Sequence, residues 1–368
     1  MNVRYVGPAL DYSGYGEACR HDIGALHEAG VGLTLEIPKH TLEIADFGEL
    51  GKLCIGLQNK SLDYKVTILH TTPNIYQKYL NPNDYNIGRV FWETDKLPPD
   101  FAYGVKMVQE IWTGSEFNAQ AIRNAGITDI PIFIIPEAIK APEGDINKFD
   151  VPNKADYCFY SIFEWTERKN PRALLEAFWR EFEGEDDVSL TLKVFIDSFR
   201  PDKRRELHDR FKQCKRSLNL EKCAPVYLAT RLMNRSGIYR LHETFDCLVS
   251  AHRGEGWGIP QMEAMLLGNP VISTDCGGIH EYIGDVAKLV PCEMIPVRNV
   301  DKNGIWYLPD QNWAEVDVSE LRKAMRWCYD NRERAKDMGS RASKLVNKLF
   351  SFDAVGRKMK DRLIAINA

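Results

Sequence analysis

The feature that most constrains this chain is a succession of short runs, most of them continuously apolar rather than alternating. They are NVRYV (2–6), GLTLEI (32–37), KVTILH (65–70), GRVFW (88–92) and EIWTG (110–114) in the first half. YCFYSI (157–162), LTLKVF (190–195), PVYL (225–228), DCLVS (246–250) and NPVIS (269–273) follow in the second. Continuous apolarity suits strands covered on both faces, which is the situation of parallel sheets flanked by helices. Helix-period segments lie between the runs. One is EACRHDIGALHEAG, with Gly30 as its stop. Another runs from Pro171 to Phe182, with Asn170 as N-cap and Pro171 at the first helical position. The β-α alternation predicts doubly wound α/β units. A composition break at residues 140–155 divides them, giving Rossmann-like domains over 1–150 and 151–345. The tail beyond Asp317 reads as helices, ending in a segment over 346–368.

Composition narrows the function. The chain has 368 residues, with 48 Lys+Arg against 52 Asp+Glu, a net charge of −4. That balance argues against nucleic-acid binding through bulk electrostatics. The charged and hydrophobic fractions, 27% and 44%, are those of a globular chain rather than a disordered one. Nine cysteines without a C-x-x-C pair read as small core residues in a reducing compartment. No apolar run approaches the ~20 residues of a membrane span, and the start shows no signal-peptide pattern, so a cytoplasmic location is expected.

Three segments carry the chemistry. The first is the turn Gly7 to Glu17, where Gly14 and Gly16 flank Tyr15 between the first strand and first helix. Glycines at such a turn allow an anion to approach helix N-terminal amides, although Cys19 stands where the third glycine of a dinucleotide fingerprint would be. The second is Phe163-Glu-Trp-Thr-Glu-Arg-Lys-Asn-Pro, which places Arg168 and Lys169 beyond a strand's carboxyl end, where they can neutralise a diphosphate. The third is Arg253-Gly-Glu-Gly-Trp-Gly-Ile-Pro-Gln-Met-Glu. Here Glu255 lies in a glycine-rich loop, and Glu263, eight positions later, falls on the first turn of a helix started by Pro260. Two such carboxylates can grip separate polyol parts of one ligand. They also fit a glycosidase acid–nucleophile pair, a reading that the parallel architecture disfavours.

Residues 254–278 resemble the E-x7-E signature of the retaining glycosyltransferases of family 4, continuing through Gly268-x-Pro-Val-Ile and Gly277-Gly278. The Ser-Gly-Tyr-Gly and FEW-x-x-RKN segments resemble that family's other two anchor points, in order. The resemblance implies a GT-B fold, with two parallel sheets facing each other across a cleft and the C-terminal helix, near 352–366, crossing back. It implies that Glu263 accepts from the ribose hydroxyls of a nucleotide and that Glu255 contacts the donor sugar. Gly256, Trp257 and Gly258 would lie against sugar and phosphate, Arg168 and Lys169 would hold the diphosphate, and Gly14, Tyr15 and Gly16 would close on it. Glu164 stands where the commonest family version has arginine.

Two residues at strand ends mark an acceptor side. His70 ends KVTILH and matches the place of a family histidine near the donor sugar, while Glu93 is read as ending the strand GRVFW. Trp92 and Trp112 read as core, and Ser115 as the N-cap of 116–125. The basic stretch 203–216 reads as a solvated helix face or as contact with an anionic acceptor or membrane surface. The expected reaction is retaining, same-face transfer from a nucleoside diphosphate sugar, with Arg168, Lys169, Glu255 and His70 in catalytic roles. No cofactor beyond that co-substrate and no metal are expected. The acceptor stays open among a glycan, a lipid-linked glycan, a protein, a small molecule and a modified nucleic acid, with peripheral membrane contact also open. A sugar-nucleotide epimerase or phosphorylase, and a silent nucleotide-sugar binding subunit, are the alternatives.

Overall fold

A computed structural model describes residues 1–38, 47–142, 144–152, 154–298, 300 and 305–366. The chain divides into two compact units. One comprises Met1–Ala141, Gly277–Glu281 and Leu345–Ala368, and the other Pro142–Cys276 and Tyr282–Lys344. Within the expected break at 140–155, Glu143 and Asn153 lie outside the described residues.

The first unit is built on strands β1 (Asn2–Val6), β2 (Gly32–Glu36), β3 (Val66–Leu69), β4 (Tyr85–Arg89), β5 (Glu110–Thr113) and β6 (Ile132–Ile134). They pair in parallel in the order β2-β1-β3-β4-β5-β6. Helices α1 (Gly14–Glu28), α2 (Gly48–Leu57), α3 (Pro99–Val105) and α4 (Glu116–Asn124) connect them. Helix α1 starts on Ser13, whose side chain accepts from the Gly16 amide, and stops where Gly30 turns left-handed at φ +76°. Ser115 caps α4 as expected, accepting from the Asn118 amide. Strand β4 lies three residues earlier than the run GRVFW. Its ladder with β3 ends at Gly88, and beyond it the Trp92 amide donates to the Asn118 side chain.

The second unit contains β7 (Tyr157–Glu164), β8 (Val188–Phe195), β9 (Val226–Ala229), β10 (Cys247–Ser250), β11 (Val271–Thr274) and β12 (Lys288–Val290). These form a second parallel sheet, ordered β12-β11-β10-β7-β8-β9. A separate antiparallel pair, β13 (Cys292–Pro296) with β14 (Asn312–Val316), is not anticipated by the parallel pattern. Helices α5 (Pro171–Glu181), α6 (Pro201–Ser217), α7 (Arg235–Thr244), α8 (Ile259–Leu266), α9 (Val318–Asp330) and α10 (Arg332–Leu349) complete the series, and α11 (Phe352–Ile366) follows. The basic helix α6 buries only Leu207, and its Lys203 and Arg210 pair with Asp197 and Glu206, which fits a solvated face. All nine cysteines are free thiols, and no described helix is long and apolar enough to cross a membrane.

Each sheet is buried by its own apolar cluster. That of the second unit gathers Phe159, Leu190, Leu192, Val249 and Ile272 with the α5 and α9 faces. That of the first gathers Val3, Ile68, Ile87 and Trp112 with Ile23 of α1 and Met359 of α11. Helices α1 and α11 approach closely because glycine lies at the contact. A Cβ on Gly356 would sit 2.3 Å from the Ala25 carbonyl oxygen, and one on Gly24 would sit 2.4 Å from the Phe352 ring. The neighbour of Gly356 is helix backbone and cannot rotate away. Gly356→Ala is therefore expected to destabilise the first unit by about 1–3 kcal/mol, the usual cost of overpacking. Calorimetry should show this as a lowered thermal midpoint.

Candidate functional site

In the second unit the candidate residues gather beyond the carboxyl edge of its sheet, where ligands bind in open α/β folds. After β7 the chain makes a single 3-10 turn, Glu167–Lys169, that presents Arg168 and Lys169. Asn170 then takes a left-handed conformation (φ 51°) and caps α5, with Pro171 first in the helix. The loop after β10 carries Glu255, and a left-handed Gly258 (φ 93°) caps α8. Glu263 is the fifth residue of α8, so it lies one turn deeper than the sequence suggests.

Glu255 is 7% exposed and Glu263 1%. Buried carboxylates keep their charge only beside cations. Lys169 Nζ pairs directly with Glu255, and Arg168 Nη1 lies 3.6 Å from it while donating to the Gly254 carbonyl at 2.7 Å. Burial pushes the Glu255 pKa up, but Lys169, Arg168 and His252 together more than offset this and hold it at about 2. Glu263 pairs with Arg235 through one oxygen and has His242 Nε2 at 3.4 Å from the other.

A polar relay orients His242. Asn269 Nδ2 donates to Tyr160 Oη at 2.8 Å, and the tyrosine proton is then free to go to His242 Nδ1 at 2.7 Å. His242 Nε2 faces Glu263 on the other side of the ring. The glycine-rich loop is held from behind by Tyr282, whose hydroxyl donates to the carbonyls of Trp257 and Gly258, each at 2.9 Å. The Trp257 side chain is 4% exposed and packs tilted against Tyr282 at 4.9 Å, so this tryptophan offers its backbone rather than its ring. The unanticipated pair β13–β14 braces the site. Arg253 donates its amide to the Arg168 carbonyl (2.7 Å) and accepts the Ala314 amide (2.7 Å), while Glu315 receives Arg253 Nε (2.8 Å) and Asn170 Nδ2 (3.0 Å). Glu164 ends β7 and accepts the Asp197 amide at 3.2 Å, so it supports the next loop instead of replacing an arginine.

In the first unit His70 follows β3 and is fully buried. Tyr5 Oη lies 2.6 Å from its Nδ1, and Tyr15 stands edge-on at 4.9 Å. Burial, and then Arg89, hold the His70 pKa well below the usual histidine value, which keeps the ring neutral. Behind it Arg89 grips Asp22 with Nε (2.8 Å) and Nη2 (3.2 Å), and Glu137 lies 3.8 Å from Arg89. Gly14 and Gly16 belong to the first turn of α1 rather than to the preceding loop. Gly14 is exposed, whereas the Gly16 amide is committed to Ser13 and a Cβ there would lie 2.3 Å from the Asp11 carbonyl oxygen. Tyr15 Oη donates to the Thr71 carbonyl at 2.9 Å. Glu93 is half-buried and lies four residues past the end of β4, not at a strand terminus. Trp92 and Trp112 are core.

Residues that the sequence reading did not single out are Arg235, His242, Tyr160 and Asn269 around Glu263, and Tyr5, Asp22, Arg89 and Glu137 behind His70. A buried-type arginine inside the apolar run GRVFW was the one signal available for the second group.

Comparison with known proteins bears on the fold and on the second unit. Residues 155–301 match the family model of glycosyl transferases group 1, a stretch that contains Arg168, Lys169, Glu255 and Glu263. No curated protein matches the chain in sequence. Among solved structures, sucrose-phosphate synthase from Thermosynechococcus elongatus is similar at TM-score 0.68 and 14% identity, covering 100% of both chains. HepE from Anabaena, solved with UDP-glucose, is similar at 0.66 and 15%, covering 99% of this chain and 100% of that one. A glycosyltransferase from Rickettsia africae is similar at 0.63 and 15%, covering 98% and 97%. The fold is thus that of the GT-B glycosyltransferase structures.

The ion pair on Glu255 makes a pH prediction. A carboxyl depressed from 4.5 to about 2 contributes stability that is present above pH 4.5 and is lost as pH falls toward 2. The size is about 3.5 kcal/mol at most, at about 1.4 kcal/mol per pKa unit. Glu255→Gln should remove this component, so its thermal midpoint should fall less steeply than the wild type's between pH 4.5 and 2.

Proposed function

We propose that this chain is a glycosyltransferase that takes its sugar from a nucleoside diphosphate and retains the anomeric configuration. One observation carries the reading. Two buried, cation-paired carboxylates, eight positions apart, lie with an Arg-Lys turn at one sheet edge, inside the segment that matches the glycosyltransferase family model. Glu263, held by His242 and Arg235, is suited to accept from ribose hydroxyls, and Glu255 from hydroxyls of the donor sugar. Structurally similar proteins solved with UDP and UDP-glucose support uridine as the base.

Transfer breaks the bond between the anomeric carbon and the diphosphate oxygen and forms one to the acceptor oxygen on the same face. The acceptor proton passes to the departing phosphate oxygen. Charge grows on the diphosphate as it leaves, and fixed cations there lower the barrier more than the ground state. Arg168 and Lys169 supply those cations, which is why the reaction is proposed to run without a metal. Gly256, Trp257 and Gly258 offer backbone to sugar and phosphate. For the first unit, the proposed roles are donor contact for Gly14 and Tyr15, sugar contact for His70 and acceptor contact for Glu93.

A thermal-shift panel of uridine, guanosine, adenosine and thymidine diphosphates with their sugar conjugates tests the reading, followed by diphosphate release. UDP and one UDP-sugar should stand out, since a ligand at 100 times its Kd stabilises by about 2.7 kcal/mol. No shift with any nucleotide overturns the donor site, and a shift without turnover makes the chain a binding subunit. Glu263→Ala should weaken UDP binding by about 1.5–3 kcal/mol, the scale of hydrogen bonds to a charged group. Lys169→Ala should lower kcat more than it raises the donor KM. Turnover should be unchanged in excess EDTA, and loss that is restored by a divalent ion would refute the metal-free mechanism.

A further inference from the structure

The buried polar cluster of the first unit fixes the role of His70 more tightly than its position alone. Tyr5 Oη lies 3.1 Å from Asp22 Oδ2 and 2.6 Å from His70 Nδ1, and all three side chains are essentially inaccessible. The hydroxyl has one proton to place between two neighbours. Asp22 already holds the Arg89 guanidinium with both oxygens. Glu137 lies farther from Arg89, at 3.8 Å and without a hydrogen bond, so the carboxylate that pairs with the guanidinium is Asp22. An ionised carboxylate only accepts. If Tyr5 donated to His70, two bare oxygens would face each other at 3.1 Å with no proton between them. The consistent arrangement runs from His70 Nδ1–H to Tyr5 Oη and from Tyr5 O–H to Asp22 Oδ2. His70 Nε2 is then unprotonated, and this buried atom has no hydrogen-bond partner in the protein. The flanking rings are Tyr15 and Phe91, at 4.9 and 6.0 Å.

We propose that Asp22 and Tyr5 are positioning residues that hold His70 as the Nδ1–H tautomer, so that Nε2 accepts a hydrogen bond from a hydroxyl of the transferred sugar. A group that can only accept, such as the carboxylate of a uronic acid, would meet a lone pair and is disfavoured at that place. The tautomer half of the proposal stands on the first unit alone, while the sugar half rests on the donor reading above.

Long-range proton–nitrogen NMR on the full chain labelled with 15N-histidine tests it, with His70→Gln assigning the resonances. The wild type should show a protonated Nδ1 and a bare Nε2 at His70. Asp22→Ala should reverse the relay, because Tyr5 loses its acceptor and is free to donate to Nδ1, moving the imidazole proton to Nε2. Tyr5→Phe should leave Nδ1 without its acceptor and mix the tautomers. A wild-type Nε2–H signal, or an unchanged tautomer in whichever of the two variants folds, overturns the relay whatever the enzyme does. The second arm compares UDP-glucose with its 2-, 3-, 4- and 6-deoxy analogues. Asp22→Ala should lower kcat/KM by about tenfold for the hydroxylated donor, and this loss should vanish for one deoxy analogue. Equal losses for all analogues would refute the sugar contact while leaving the tautomer result standing. Absence of any turnover would count against the donor reading, not against the relay.

Discussion

The arrangement at the candidate site follows from a single constraint: a carboxylate withdrawn from water must be given a cation and hydrogen-bond donors. Glu255 meets it with Lys169 and Arg168, which come from a turn 86 residues earlier in the chain. Pairing charges over that separation ties the loop after β10 to the turn after β7, so neither segment can take up its conformation without the other. The supporting contacts follow from this tie. Arg253 joins the same turn through backbone, β14 contributes Glu315 to fix Arg253 and Asn170, and Tyr282 secures the carbonyls before α8. Buried ion pairs of this kind add little net stability, because desolvation offsets the Coulomb gain. Their effect here is geometric, and they set where two cations and an acceptor stand.

The two units solve the same problem with opposite polarity. In the second, an amide begins the relay, which runs from Asn269 through Tyr160 and His242 to Glu263, so the outermost group is a carboxylate that accepts. In the first, the carboxylate lies at the buried end, behind Tyr5, and the imidazole is the outermost group. Both relays use a tyrosine hydroxyl as the central member because it both donates and accepts, and both leave an acceptor at the front. A ligand rich in hydroxyls suits such fronts, since each of its O–H groups can donate to an atom that has already been deprived of protons.

The parts of this structure that were legible in the sequence are those encoded locally. Apolar runs bounded by turns locate the parallel strands, the Asn170-Pro171 pair marks the start of α5, and the run from Gly254 to Glu263 places two carboxylates on a loop and a helix. Strand β4 was misplaced because Val90, Phe91 and Trp92 are apolar for packing beyond the ladder, while Tyr85 and Asn86 pair within it. Gly16 looked like a ligand-approach glycine, but it is required by the Asp11 carbonyl pressed against it, a contact no local pattern records. The antiparallel pair escaped notice because its strands are short and separated by a long connection. Arg235, His242, Asp22 and Glu137 were invisible for a deeper reason. Each is defined by a partner far away in the chain, and a single sequence contains no signal for such pairing.

Charge counting links the site's internal economy to what it can hold. Arg253 is neutralised by Glu315 and Glu167, and Arg235 by Glu263, leaving Arg168 and Lys169 to share Glu255. The three cations Arg253, Arg168 and Lys169 are thus balanced by the three carboxylates Glu167, Glu315 and Glu255, beside the capped start of α5. A diphosphate carries one negative charge on each phosphorus. On the proposed reading, such a ligand competes with Glu255 for Arg168 and Lys169, and Lys169 turns partly from Glu255 to the phosphate. The carboxylate thereby loses some of its counter-charge and becomes a stronger acceptor for a sugar hydroxyl. On the proposed reading, phosphate binding and sugar binding at Glu255 would in this way be coupled through the Lys169 ammonium group.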